Sequence, residues 1–342
     1  MEVNLNDIRI YPILESIHRE KISDEVYFSE KYRDFISNSR LKLINPTQGG
    51  NPQLYKTGFD GSKTSSLFLG SAIHCLLLQK DEFKLGPDLN KPSAKLGLVI
   101  DSIKNYRKQG LSIFDSINKA CQTIGYYANS LNVSRINQII RDGLYYYIKS
   151  KNISEDVILA STKDINTITN CLNNLNNSRE VQKILYPTDM FGDPIPTFNE
   201  EAFFLDFKCV YGEKEHIIKF KMKADNWNID IENKIITLND LKTTSKFACK
   251  FMDHSWINFN YDRQFAGYIY VLLRYCEKEY GYNSKDWTVK ANVIVSETTS
   301  DNRCRVFPIT LDMLQDGRKE FCKLLKMVGY CEMFDYPDVT FI

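Results

Sequence analysis

The sequence predicts an α/β fold, a mixed central sheet in the C-terminal half with a helical insertion ahead of it. Three observations predict this. From about residue 198 onward, short apolar runs bounded by Gly, Asn and Asp read as strands. Between about 94 and 185, apolar residues recur at helical spacing. After 198 the order is three strands, a helix, two strands and a helix, which suits an α/β domain with both parallel and antiparallel pairs.

The elements follow in chain order. Residues 26–45 place Val26, Phe28, Tyr32, Phe35, Ile36, Leu41 and Leu43 at spacings expected of a helix, and Asn45-Pro-Thr-Gln-Gly-Gly-Asn-Pro52 breaks it. A second helix is expected over Ser65–Gln79, and Pro87 and Pro92 mark a loop. The stretch 94–185 reads as helical throughout, from Val99, Ile103 and Tyr106 through Ile113, Ile117, Cys121 and Ile124 to Ile136, Ile139, Ile140, Leu144 and Tyr147. Strands are expected at 202–210, 216–227 and 234–241, with turns at 211–215 and 230–233. A helix at 261–280, strands at 288–296 and 304–309 and a helix at 311–328 complete the chain. The expectation is one domain over 1–342, with 94–185 an inserted helical subdomain and 198–330 the sheet with its flanking helices.

Composition narrows the class. The chain has 342 residues, 43% of them apolar, which allows a large core. No window of eighteen apolar residues exists, so no membrane span is expected. Residues 1–10 carry Glu2, Asn4, Asn6, Asp7 and Arg9 and lack the apolar stretch of a signal peptide. The expected location is the cytoplasm, that of a host cell if the source is viral, as the Asn-, Lys-, Ile- and Tyr-rich composition suits. The nine cysteines form no C-x-x-C pair, which argues against zinc and iron–sulfur sites. A net charge of +1 neither requires nor excludes a nucleic-acid partner, because a balanced total can hide a local basic surface.

One constellation carries chemistry. Hydrolysing a phosphodiester takes a divalent cation on the phosphate oxygens, carboxylates to hold it, and a base or orienting cation for the attacking water. Asp240 and Lys242 stand two apart on a predicted strand and so face one side. Asp225 ends the strand before it, and the hairpin turn brings Asp225 beside Asp240. Two carboxylates at one strand end are costly unless a cation neutralises them. Asp-x-Lys alone more often marks a solvated strand face. Three further features add to it here. Tyr261, Gln264 and Tyr268 fall at offsets of three and seven on a predicted helix, hence on one face. For the tyrosines, packing is the ordinary meaning. His74 sits in the apolar run Gly70-Ser-Ala-Ile-His-Cys-Leu-Leu-Leu, where a lone His is usually a core residue but beside carboxylates can ligate a metal. Glu200-Glu-Ala-Phe-Phe offers a third carboxylate, although a surface Glu is the commoner case. A one-residue slip would turn Glu201 inward in its place.

Taken together these residues resemble the RecE/exodeoxyribonuclease VIII branch of the PD-(D/E)XK nucleases, a superfamily related to lambda exonuclease and RecB-type nuclease domains. Phe35-Ile-Ser-Asn-Ser-Arg-Leu-Lys is similar to its Ser-x-Ser-x-Leu helix, and Leu69-Gly-Ser-Ala-Ile-His74 to its Gly-x-x-x-His motif. Glu200-x-Ala-Phe-Phe, Lys223-Ala-Asp225 and Asp240-Leu-Lys-Thr-Thr244 resemble its acidic and central motifs. Tyr261-x-x-Gln264-x-x-x-Tyr268 resembles its helix motif and Val293-Ile-Val-Ser-Glu297 its late strand. Two departures stand out. Lys-Met-Lys-Ala-Asp replaces the usual glycine or arginine near Asp225, and the four-cysteine cluster of the adaptation nucleases is absent.

The resemblance implies a PD-(D/E)XK (restriction-endonuclease-like) core. It implies Mg²⁺, with Mn²⁺ able to substitute, held by Asp225, Asp240, the Leu241 carbonyl, Glu200 and His74. Lys242 would orient or activate water, while Tyr261, Gln264, Tyr268, Thr243 and Thr244 would support the site and the DNA. The implied activity is a 5′ to 3′ exonuclease on duplex DNA ends in phage-type recombination. A single-strand annealing protein would be its partner, and a trimeric or tetrameric ring its assembly. Two other readings stay open, a structure-specific or single-strand endonuclease on the same fold, and a catalytically idle DNA-binding or virion component.

Overall fold

Six strands form the sheet on which the acidic motifs lie. They are β1 (Arg9–Glu20), β2 (Thr197–Tyr211), β3 (Lys214–Asp230), β4 (Ile235–Thr244), β5 (Thr288–Glu297) and β6 (Cys304–Pro308), in the spatial order 1-2-3-4-5-6. All neighbours are antiparallel except β4 and β5, which run parallel. A parallel pair needs a long crossover, and helix α3 (Tyr261–Tyr280) lies within it. Three more helices bear on the argument: α1 (Ser65–Leu78), α2 (Arg179–Leu185) and α4 (Leu311–Met333). The computed structural model describes residues 2–58, 65–89, 91–92, 94–154, 156–299 and 301–342. Among these, no helix is long and apolar enough to cross a membrane.

The chain divides into two compact units, one of Met1–His74 with Cys171–Ile342 and one of Cys75–Asn170. The first holds the sheet. Its main core gathers Phe203, Leu205 and Phe207 of β2, Phe220, Met222 and Trp227 of β3, and Val293 and Val295 of β5. Phe265 and Leu272 of α3 and Phe321 and Leu325 of α4 close it from one side. Gly317 lets α4 touch the first turn of α3, since a Cβ there would lie 2.1 Å from the Asp262 carbonyl oxygen. The second unit packs Val99, Ile100, Ile103, Ile117, Cys121 and Ile139 from its helices. Ser112 caps one of these helices by accepting from the Asp115 N–H, and Gly125 ends it in the left-handed region.

The core pattern changes phase within β2 and β3. On β3, Ile218, Phe220, Met222 and Ala224 enter the main core at even positions, but Trp227 and Ile229 enter it at odd ones. On β2, Phe198 packs on that core from one side of the same rung, and Phe203, Leu205 and Phe207 enter it from the other. The paired rungs run Asn199↔Asn226 and then Glu201↔Ala224 and skip Glu200 and Asp225, where Glu200 adopts φ of 54°. Each strand therefore bulges by one residue at the same rung. Register is kept while the faces exchange.

Several expected elements differ. The helix expected over 26–45 is broken into Asp24–Tyr27 and Asn38–Leu41 with a 3-10 turn, Glu30–Tyr32, between, because Ser23 and Ser37 each start a new helix by accepting from the N–H three residues on. Between them Ile36 bridges to Phe220 of β3. The stretch 94–185 is not helical throughout, since Val157–Ala160 is a strand of apolar residues paired in parallel with Lys84–Asp88. Lys84–Asp88 was expected as loop because of Pro87, which a two-stranded pair tolerates. Strand β1 was not foreseen. It is an edge strand with an irregularity between Ile13 and His18 and no clean alternation. The remaining strands and helices lie where expected, with ends that differ by up to five residues: α1 and β6 each stop a residue early, at Leu78 and Pro308, β4 starts a residue late at Ile235, α3 has the expected bounds, and the others run further.

Candidate active site

The phase change delivers the acids. Pairing between β3 and β4 ends at Asn226↔Asn239, one rung short of Asp225 and Asp240. In the gap the Asp225 carboxylate takes the place of a backbone partner, its Oδ2 accepting the Leu241 N–H at 2.8 Å. Asp240 and Lys242, two apart on β4, face the α3 side together. Lys242 Nζ is in ion-pair contact with Asp240 Oδ2. Oδ1 of Asp240 accepts from Gln264 Nε2 of α3 at 2.9 Å. Oδ2 is sealed from solvent and, beyond that ion-pair contact, has no hydrogen-bond partner among the described residues.

Helix α1 brings the histidine. Gly70 allows close approach to β4, since a Cβ there would stand 2.9 Å from Thr243 Oγ1. One turn later, His74 Nδ1 lies 3.5 Å from Asp225 Oδ2 and 3.8 Å from Glu200 Oε1. His74, Glu200 and Asp225 thus offer three ligand atoms within 4.8 Å of one another. Of the two adjacent glutamates, Glu200 turns to this site. Glu201 lies on the other face, where its Oε2 accepts from Arg19 and from Trp227 Nε1, each at 3.2 Å.

Burial and charge set the protonation states. Burial pulls the His74 imidazole down, but Asp225 and Glu200 outweigh it and push the group up to about 9. Burial raises the Asp240 carboxyl to about 6 against the pull of Lys242, and it raises Asp225 as well. Lys242 is desolvated too, yet Asp240 and Asp225 hold it firmly as the ammonium. Glu200, Asp225 and Asp240 stand with His74, Lys242 and Lys223 in one cluster of acidic and basic side chains.

The other expected residues are distributed as follows. The Tyr261 ring lies 5.1 Å from Lys242 Nζ, and burial keeps its phenol protonated despite that ammonium. Tyr268 stands by Gln264, its hydroxyl also held protonated by burial. Thr243 is the contact of α1, whereas Thr244 Oγ1 accepts from Lys246 N at the turn after β4. Two residues were missed. Lys223 Nζ grips Glu200 Oε2 at 3.1 Å and Asp24 Oδ1 at 2.6 Å, fixing the rotamer of Glu200. Its position two before Asp225 was the available signal. Asp24 had none, because it arrives from a helix of four residues.

These residues fit a hard divalent cation. Glu200 and Asp225 converge with His74, and beside them the buried Asp240 Oδ2 is met only by Lys242 among the described residues, an oxygen-rich set that suits such a cation once the imidazole gives up its proton. The same residues can present an ammonium to an anionic substrate.

No protein-family model matches the chain, and no curated protein does. Among solved structures, the chain is similar to that of a "Putative exonuclease" from Eubacterium rectale. The identity is 12% and the TM-score 0.45, over 93% of this chain and 89% of that one.

Proposed function

We propose that the protein is a metal-dependent deoxyribonuclease with a PD-(D/E)XK core, acting as an exonuclease on the ends of duplex DNA. The observation that carries the reading is the Asp225 carboxylate accepting the N–H of Leu241, the residue between Asp240 and Lys242, at the point where β3 and β4 stop pairing. Buried acids without a full set of partners are costly, and a cation is the group that offsets them. Mg²⁺ would be held by Asp225 and Asp240 with Glu200 and His74 at its edge. When bound, it supplies positive charge at the phosphate oxygens and acidifies water.

The side chains do the rest. Gln264 holds Asp240 by its Oδ1, which leaves the second oxygen directed at Lys242. Lys242 is an ammonium, so it acts by positive charge on the scissile phosphate and by orienting water rather than by taking a proton. Lys223 holds Glu200 facing His74. The 5′ to 3′ polarity, the annealing partner and the ring assembly are proposed from the resemblance alone.

End-labelled linear duplex and covalently closed plasmid, each with and without Mg²⁺, test the proposal. Release of labelled nucleotides from the linear substrate only, and only with Mg²⁺, is expected. Nicking or linearising of the closed circle would replace the exonuclease with an endonuclease. No cleavage of either would end the enzymatic reading.

A further inference from the structure

On the sheet face opposite the acids, four asparagines form a continuous amide ladder across β2, β3, β4 and β5. Asn292 Nδ2 donates to Asn239 Oδ1 at 2.9 Å, Asn239 Nδ2 to Asn226 Oδ1 at 2.7 Å, and Asn226 Nδ2 to Asn199 Oδ1 at 2.7 Å. The register is exact in the pairing itself, Asn199↔Asn226, Asn226↔Asn239 and Asn239↔Asn292. Each of the first three is a chain neighbour of an acid, namely Glu200, Asp225 and Asp240. The central pair is fully used. The second N–H of Asn239 reaches the Ile184 carbonyl at 2.9 Å, and that of Asn226 reaches the Leu185 carbonyl at 3.5 Å. Both carbonyls belong to the last turn of α2, which has no donors of its own for them.

We propose that this ladder is the spacing device of the acid site, with Asn226 and Asn239 as positioning residues that set the distance between Asp225 and Asp240. The inference rests on the reading of that site as the holder of a divalent cation. The physical case has two parts. The ladder occupies the last paired rung before backbone pairing lapses on both sides of β3. Beyond it, Glu200, Asp225 and Asp240 repel one another, so the strands spread unless they are clamped nearby. Stability alone does not call for four amides in register. Capping the last turn of α2 uses one N–H each of Asn226 and Asn239; it does not call for the three amide–amide bonds, since replacing both partners of a buried hydrogen bond can be nearly neutral. What an amide chain adds is a fixed side-chain distance from strand to strand.

The test compares wild type with the Asn226→Leu/Asn239→Leu double variant, the milder Asn239→Ser, and Asn292→Leu at the ladder's far end. Mn²⁺ affinity is read by electron paramagnetic resonance. Amide exchange is read on the peptide spanning residues 236–244, which contains the Leu241 N–H held by Asp225. In the double variant the urea midpoint should fall, because the Leu185 carbonyl and the Asn199 and Asn292 amides lose partners, but the Mn²⁺ dissociation constant should rise by about tenfold or more and exchange in that peptide should quicken beyond what this loss of global stability accounts for. Asn239→Ser should show the same effects in lesser degree, which carries the test if the double variant does not fold. Asn292→Leu should leave Mn²⁺ affinity within about twofold of wild type. Unchanged Mn²⁺ affinity and unchanged exchange in the folded ladder variants would overturn the proposal. So would a loss that merely follows global stability across all three. If wild type itself binds no Mn²⁺, the cation reading fails. The exchange result, which needs no metal, then still decides whether the ladder fixes the Asp225 contact.

Discussion

Replacing Gln264 by Met isolates the support of Asp240. The substitution keeps the length of the side chain and removes the amide that donates to Asp240 Oδ1 at 2.9 Å. Asp240 is almost wholly buried, so its ionised oxygen loses a charge-assisted hydrogen bond worth about 1.5–3 kcal/mol. The sign follows from the carboxyl's raised value of about 6 against 3.8. Between those two values the folded state binds more protons than the unfolded, so stability declines as pH rises to about 6 and is level above it. Without the amide the ionised form loses support and the carboxyl rises further, so the variant's decline continues to higher pH than that of wild type. Urea unfolding should find variant and wild type close at pH 5 and separated by about 1.5–3 kcal/mol at pH 8. Cleavage of end-labelled duplex at pH 7 should fall about ten- to hundredfold. A stability gap equally large at pH 5 would show that the amide acts by packing and not through the Asp240 charge.

Asp240→Ala and Lys242→Ala should each abolish Mg²⁺-dependent cleavage with the circular dichroism spectrum unchanged, and near-normal digestion by either purified variant would remove it from the mechanism. Lys221, buried with its ammonium on the Tyr27 and Tyr32 carbonyls, is lowered by desolvation to about 8 from 10.5. The unfolded state binds more protons between those values, so wild type should gain on Lys221→Met as pH rises from about 8, by at most about 1.4 kcal/mol per unit, and parallel urea profiles would contradict this. At Glu200, whose φ is 54°, Gly and Ala remove the same carboxylate but only Gly accepts the left-handed backbone freely. Glu200→Gly should exceed Glu200→Ala in stability by about 1 kcal/mol, and an Ala variant at least as stable would deny the bulge.

The sheet strands were legible where period and turn chemistry agreed. The tight Asp230–Asn233 turn, in which Asp230 accepts from Asn233 N at 3.0 Å, was readable from its residue types. The approach of Asp225 to the Asp240–Lys242 stretch of β4 followed from that hairpin. The inward turn of Glu200 did not follow from periodicity, because both faces of β2 are buried. Ala202 and Phe204 pack with Tyr27 and Tyr32 on one face while Phe203 and Leu205 pack on the other. Alternation vanishes when both faces are dry. Strand β1 and the pieces of 26–45 were hidden for a related reason. Their contacts are to distant strands, and local spacing does not record them.

The most useful signal was a slip in the alternation rather than the alternation itself. In Phe220, Met222, Ala224, Trp227, Ile229 the core positions jump by three at Asp225. A single bulge of this kind would shift every later rung against the neighbouring strand, and with it every buried side chain. Two bulges facing each other, at Glu200 and Asp225, cancel that shift, which is why Asn199↔Asn226 and Glu201↔Ala224 belong to one register. The cancelled pair leaves one rung between β2 and β3 without backbone pairing, with those two strands paired before and after it, and at the same rung β3 parts from β4. At such a rung an acidic side chain can stand in the plane of the sheet and accept a strand's own N–H, as Asp225 does from Leu241. A regular strand offers no such position, because its side chains point above or below the sheet. The bulged rung, more than the Asp-x-Lys spacing, is therefore what distinguishes these acids from carboxylates on a solvated strand face.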